Sequence, residues 1–73
     1  MSPRLPRISG DEATRALERA GFRRISQRGS QLKLRSDGGR VVIIPLHREL
    51  ATGTLRSIIR QSGLSVEEFL ERL

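Results

Sequence analysis

The hydrophobic pattern of this 73-residue chain changes its period twice, and the order of the periods restricts the folds open to it. Apolar residues recur at helical spacing over residues 13–20, in strand-like patterns over 22–44, and at helical spacing again after residue 52. This order predicts an αβββα arrangement followed by a short C-terminal helix. The fold class expected is therefore α+β, a sandwich with the helices on one face of a three-stranded antiparallel sheet.

The first helix has start and stop signals at both ends. Ser9 lies three residues before Glu12, which is the spacing of a capping box. Gly21 follows the last apolar residue of the helical pattern and is a typical residue for ending a helix. A helix over residues 10–20 is expected, with a narrow, alanine-rich face suited to close packing.

Three short strands are predicted next. Residues 22–28 alternate weakly and residues 31–35 alternate cleanly, with a Gly-Ser turn between them. A Ser-Asp-Gly-Gly sequence then favours a tight hairpin, because Asp-Gly and Gly-Gly adopt positive φ at low cost. The β-branched run within residues 40–44, which Pro45 stops, predicts a central or well-covered strand.

Two further helices are expected after a loop at residues 46–51. Thr52 or Thr54 is predicted to cap the second helix, which Gly63 ends. Ser65 and Glu68 form a second capping-box pair at the start of a short third helix.

Charge is the strongest compositional signal. The chain carries 14 basic and 8 acidic residues, a net charge of +6, and all but one of the basic residues are Arg. Residues 1–66 hold 13 basic and 5 acidic groups (+8), whereas residues 67–73 hold 1 and 3 (−2). Because Arg pairs with phosphate through a planar fork, this balance favours a polyanionic partner, most simply nucleic acid.

Composition also excludes several classes of function. The chain has no Cys and only two aromatic residues, which argues against a disulfide framework, a thiolate metal site and a base-stacking platform. No His, Asp or Glu cluster has metal-ligand spacing, so no metal or other cofactor is predicted. The N-terminus has no apolar run and no stretch suits a membrane span, so we expect a cytoplasmic protein without a membrane partner.

Residues 1–8 are expected to form an irregular basic arm and residues 9–73 a single domain.

Several motifs together resemble one known family. They are Gly21-Phe22, Arg28-Gly29-Ser30, the segment Val42-Ile43-Ile44-Pro45-Leu46-His47, and the segment Gly-Thr-Leu-Arg-Ser-Ile-Ile-Arg-Gln-Ser-Gly at residues 53–63. Over residues 9–64 the chain resembles the HicA (YcfA-like) toxins. The resemblance implies a double-stranded-RNA-binding-like fold, metal-independent cleavage of mRNA, and a hetero-oligomeric complex with a HicB-type antitoxin.

The chain departs from the family at the position that carries the chemistry. The resemblance implies a catalytic His directly after the Gly-Ser of the turn that opens the second strand, and this chain has Gln31 there. Imidazole can take and give a proton near neutral pH, whereas an amide does not titrate. We therefore expect a toxin-like ribonuclease that binds RNA but cuts it poorly or not at all.

Five further residues are predicted to contact RNA. Lys33 and Arg35 share a strand face with Gln31, since alternate residues point to the same side. Arg28 and Ser30 flank the turn before Gln31, and His47, the chain's only His, lies in the loop after the third strand.

Two other functions fit the same residues. The chain could be a non-catalytic RNA-binding module, in which residues 55–70 imitate a helix-turn-helix, although the acidic residues of the second of those helices would repel DNA. It could also be a protein-docking domain whose basic face binds an acidic partner. Salt dependence of RNA binding separates these two alternatives.

Overall fold

The predicted order of elements is confirmed by a computed structural model that describes residues 4–73. In this part of the chain, three helices and three strands follow one another in the αβββα order with the short terminal helix. They are α1 (Gly10–Arg19), β1 (Phe22–Arg28), β2 (Gln31–Ser36), β3 (Val41–Pro45), α2 (Thr52–Ser62) and α3 (Val66–Glu71). The strands form an antiparallel sheet in the order β1-β2-β3.

One face of the sheet is buried beneath the helices. Residues of β2 and β3 alternate between buried and exposed, so each strand gives one side of its pleat to the core. The helices contribute the opposite wall with side chains that are almost fully buried. The central members of the core are Leu17, Leu32, Leu34, Val42, Ile44, Leu55, Ile58 and Phe69. No helix or strand of residues 4–73 covers the other face of the sheet, and we call it the outer face.

The strand β3 corrects one prediction. Its uninterrupted apolar run suggested a central or well-covered strand, but β2 is central and β3 lies at an edge. Val42 and Ile44 are buried, whereas Val41 and Ile43 remain 41% and 38% exposed on the outer face. The backbone edge of β3 is partly protected by α2, because the Ile43 amide donates a hydrogen bond to Oε1 of Gln61 at 3.1 Å.

Both predicted capping boxes are present, and the predicted threonine cap is not. Ser9 and Ser65 each accept a hydrogen bond from the third backbone amide of their helix. The Ser backbone amide in turn donates one to the carboxylate of the Glu three residues on. At α3 the hydrogen bond that the Ser65 backbone amide donates to the Glu68 carboxylate is the main reason why the pKa of Glu68 lies below its usual value. The N-cap of α2 is Ala51 instead of Thr52 or Thr54. The start of α2 is fixed by Leu50, which is buried and whose amide donates to the Ile8 carbonyl at 2.8 Å.

The predicted basic arm falls partly outside the described residues. Its residues 1–3 lie there, and residues 4–8 form no helix or strand. Ile8 joins the core. None of the helices in residues 4–73 is long and apolar enough to cross a membrane.

The start of α1 packs directly against the loop that follows β3. Gly10 donates its amide hydrogen to the His47 carbonyl at 2.9 Å. A Cβ atom built on Gly10 would overlap the Pro45 carbonyl oxygen and lie 2.8 Å from the Leu46 Cα. Only glycine therefore allows this approach, which fixes the loop at the end of the sheet where β2 begins.

Replacing Gly10 with alanine should destabilise the chain, since backbone atoms would have to move apart. We expect Gly10→Ala to lower the free energy of unfolding by about 1–3 kcal/mol, the usual cost of overpacking. Gly53→Ala is the matched control, because Gly53 also lies in the first turn of a helix and a Cβ there meets no atom within 4 Å. Urea denaturation of both variants measures the difference, and equal stabilities would contradict the close packing.

Candidate functional site

The outer face of the sheet carries cross-strand rows of side chains. The pairing of the strands places Ser26, Lys33 and Ile43 side by side in one row. Arg28, Gln31 and Pro45 form the next row, toward the β1–β2 turn. Because residues opposite each other on neighbouring strands lie about 4.5–5.5 Å apart between Cβ atoms, the side chains within a row are in reach of one another.

A bulge in β1 is what brings Arg28 to this face. Arg24 pairs with Leu34, which is buried, but the next pair is Ser26 with Lys33, so Ile25 is an extra residue without a cross-strand partner. Regular alternation would have left Ser26 and Arg28 on the same side as Arg24. The extra residue shifts them to the outer face beside Lys33 and Gln31, as a one-residue slip does.

The two rows enclose a shallow depression of about 320 Å³. Three of the predicted site residues, Arg28, Gln31 and Lys33, line it. Ser26 and Ile43 also line it, although neither is among the residues predicted from the sequence. Strand alternation is the signal for Ile43, but the continuous β-branched run of β3 predicts a central or well-covered strand instead. The position of Ser26 depends on the bulge, for which the sequence gives no pattern.

The other predicted site residues lie around the depression. Arg35 follows on the same face of β2, beside Arg23 and Val41 in a third row. Ser30 lies in the β1–β2 turn, and its carbonyl accepts a hydrogen bond of 2.6 Å from the Leu46 amide. This bond brings His47, the next residue, to the same end of the sheet as Gln31. His47 is exposed and does not line the depression.

The charge of the outer face depends on which of the basic residues form ion pairs with acidic ones. Arg23 pairs with Asp37 at 3.0 Å and Arg24 with Glu18 at 3.1 Å. The carboxylates of Asp11 and Glu49 pair with Arg15 and Arg7, and Glu12 belongs to the first capping box. Among residues 4–73, no carboxylate lies within 4 Å of the charged groups of Arg28, Lys33 or Arg35. The depression is consequently a patch of uncompensated positive charge.

The amide of Gln31 is available to a ligand. The amides of Gln27 and Gln61 are used within the protein, donating to the Gly29 carbonyl at 3.0 Å and to the Ser57 hydroxyl at 3.2 Å. Within the described part of the chain, the Gln31 side chain makes no hydrogen bond. Residues 4–73 also bring no three His, Asp or Glu side chains together in a way that could hold a metal ion.

Comparison with protein families identifies the chain. A family model described as the HicA toxin of bacterial toxin–antitoxin systems matches residues 10–64, most of the chain. The chain belongs to the HicA toxin family. Comparison with curated proteins gives no significant match. HicA toxins act in toxin–antitoxin systems, where they generally cleave mRNA and pair with an antitoxin. The resemblance inferred from the motifs is thereby confirmed, and so is the expected fold class.

The ion pairs predict which arginines of this HicA protein contact a polyanion. Arg28→Ala should weaken binding to single-stranded RNA several-fold and reduce the slope of log K against log salt by about 0.7, the value for one lost phosphate contact. Arg24→Ala removes the same net charge, but Glu18 already neutralises that guanidinium, so a much smaller loss is expected. Fluorescence anisotropy titrations over a range of salt concentrations measure both. Equal losses would show that only net charge matters.

Proposed function

We propose that this HicA protein binds mRNA on the outer face of its sheet and is impaired in cleavage because Gln31 occupies the catalytic position. The observation that carries the proposal is the position of Gln31, with a free amide, in a depression whose cations have no acidic partner in residues 4–73. The unpaired cations of the outer face suit phosphate binding. At position 31, where the family resemblance implies a catalytic His, the face has no group that can transfer protons near neutral pH.

The chemistry shows why Gln31 would stop the reaction. In metal-independent RNA cleavage, a base removes the proton of the ribose 2′-OH and the oxygen attacks the adjacent phosphorus. The bond to the 5′-oxygen breaks, and an acid gives that oxygen a proton, so a cyclic phosphate and a free hydroxyl result. One imidazole can serve as base or acid near neutral pH. The Gln31 amide can only donate and accept hydrogen bonds, so it cannot move a proton between the reacting groups.

The remaining residues have binding roles in this proposal. Arg28 and Lys33 hold the phosphate at the depression, and Arg35 extends the positive surface along β2. Ser30 offers a hydroxyl group at the β1–β2 turn. His47 contacts the RNA backbone where the RNA passes beyond this end of the sheet. An acidic HicB-type antitoxin would cover the same face in the cytoplasm, neutralise its charge and exclude RNA.

RNA binding should depend strongly on salt. If the outer face contacts about four phosphates of a single strand, log K should fall against log salt with a slope near −3, at about −0.7 per phosphate. Affinity of the unmodified chain for single-stranded RNA, measured at several salt concentrations, gives the slope directly. A flat dependence would instead favour the protein-docking alternative.

Restoring the imidazole should restore cleavage. Gln31→His should raise the rate of RNA cleavage by about 10²–10⁴-fold, the usual contribution of a positioned acid or base, and the activity should persist with a metal chelator present. Gln27→His is the matched control: Gln27 is also an exposed strand residue, but it pairs with Leu32 on the opposite side of the sheet. Cleavage of labelled RNA on a gel and growth arrest on expression are the measurements.

The outcome distinguishes the nuclease from the binding module. A folded Gln31→His variant that binds RNA and leaves it intact would assign the chain to the non-catalytic alternative. In an active Gln31→His variant, a further His47→Ala change should weaken substrate binding more than turnover. The reverse result would make His47 a proton-transfer residue.

A further inference from the structure

The depression contains an apolar side chain that phosphate binding does not explain. Ile43 lines it together with Ser26, Arg28, Gln31 and Lys33, and it is 38% exposed. Isolated apolar side chains on a protein surface are common and by themselves indicate nothing. Ile43, however, forms part of a concave surface whose other described lining residues are cationic or hydrogen-bonding. A ligand that fits this surface must carry apolar, hydrogen-bonding and anionic groups close together.

A nucleotide presents the matching groups in one unit. The faces of its base are apolar, the edge of the base carries hydrogen-bond donors and acceptors, and the phosphate is anionic. The depression offers the Ile43 side chain, the free amide of Gln31 and the ammonium group of Lys33, within two adjacent rows. An apolar side chain of a protein partner would satisfy Ile43 but would leave the surrounding polar groups without partners.

We propose that the depression receives one unstacked nucleobase of single-stranded RNA, with the face of the base on Ile43 and its edge toward Gln31. This inference rests on the proposed RNA-binding function. It adds that the class of substrate is single-stranded RNA and that Ile43 is a residue that selects it. Ile43 is then a specificity-determining contact, whereas Arg28 and Lys33 supply affinity through the phosphates.

The geometry favours a single strand over a duplex. The volume of about 320 Å³ is at the small end of ligand pockets and suits one nucleotide. Bases of a duplex are stacked and paired, so their faces cannot reach a side chain on a sheet, whereas unpaired bases can turn outward. Many single-strand binders stack bases on aromatic rings, but Phe22 and Phe69 are both buried here. An aliphatic side chain must therefore provide the apolar contact.

The test compares Ile43 with a neighbouring β-branched residue that lies outside the depression. Val41 is on the same strand and the same face, 41% exposed, but outside the depression. Ile43→Thr and Val41→Thr both keep a β-branched residue in the strand, so both variants should fold. The probes are a labelled single-stranded RNA of about ten nucleotides, a typical site length, and a ribose-phosphate strand of equal length without bases.

Ile43→Thr should weaken binding of the base-bearing RNA by about threefold to tenfold, as expected for the loss of roughly one buried methylene contact. The same variant should bind the abasic strand as the parent does, and its salt slope should be unchanged because no phosphate contact is lost. Val41→Thr should match the parent on both probes. Lys33→Gln should weaken both probes alike and reduce the salt slope by about 0.7.

The possible failures point to different conclusions. If the parent chain binds RNA with a steep salt slope but Ile43→Thr behaves like Val41→Thr, the base contact is wrong and the RNA-binding function stands. An equal loss on the base-bearing and abasic strands would also overturn it. If Ile43→Thr keeps the RNA affinity of the parent but binds a HicB-type antitoxin more weakly, Ile43 belongs to a protein interface and the base contact is wrong. A parent chain that binds neither probe would remove the proposed function as well.

Discussion

Leu32 and Leu34 are buried in the core, and the pleat of β2 therefore fixes Gln31, Lys33 and Arg35 on the opposite side. Since β2 is the central strand, its register also determines which residues of the two neighbouring strands join that face. A slip of one residue would turn the cations into the core. The burial of two leucines thus positions the candidate site.

The local features of the fold were predictable from the sequence because they depend on neighbouring residues. The capping boxes at Ser9 and Ser65, the Gly-Ser turn and the alternation of β2 are of this kind. The features that could not be predicted depend on distant contacts. The bulge at Ile25 exists only through pairing with β2, and the edge position of β3 follows from the order of the strands.

The same distinction applies to the candidate site. Gln31, Lys33 and Arg35 could be selected together because one strand carries them at alternate positions. Ser26 and Ile43 come from the other two strands, and only the assembled sheet brings them beside Lys33. A sequence pattern identifies the residues that the central strand contributes to such a site, and the cross-strand register identifies those that the other strands contribute.

Binding and catalysis are separable in this arrangement. The charge of the outer face arises from several cations that have no acidic partner in residues 4–73. In the proposed function, proton transfer depends on the single position of Gln31. An amide there is compatible with the fold and with the positive patch on the outer face. A chain of this kind can therefore keep the recognition properties of its family while losing the reaction.

The most direct test of the account is a nuclear magnetic resonance titration of the isotopically labelled chain with short single-stranded RNA at low salt. The account predicts that the largest amide shift changes fall on the outer-face rows around Ser26, Lys33 and Ile43 and reverse when salt is added. It also predicts that the exposed side of α2, at Arg56 and Arg60, changes little. Shift changes centred on α2 and α3, with the outer face unperturbed, would contradict the account and support a helix-turn-helix mode of binding.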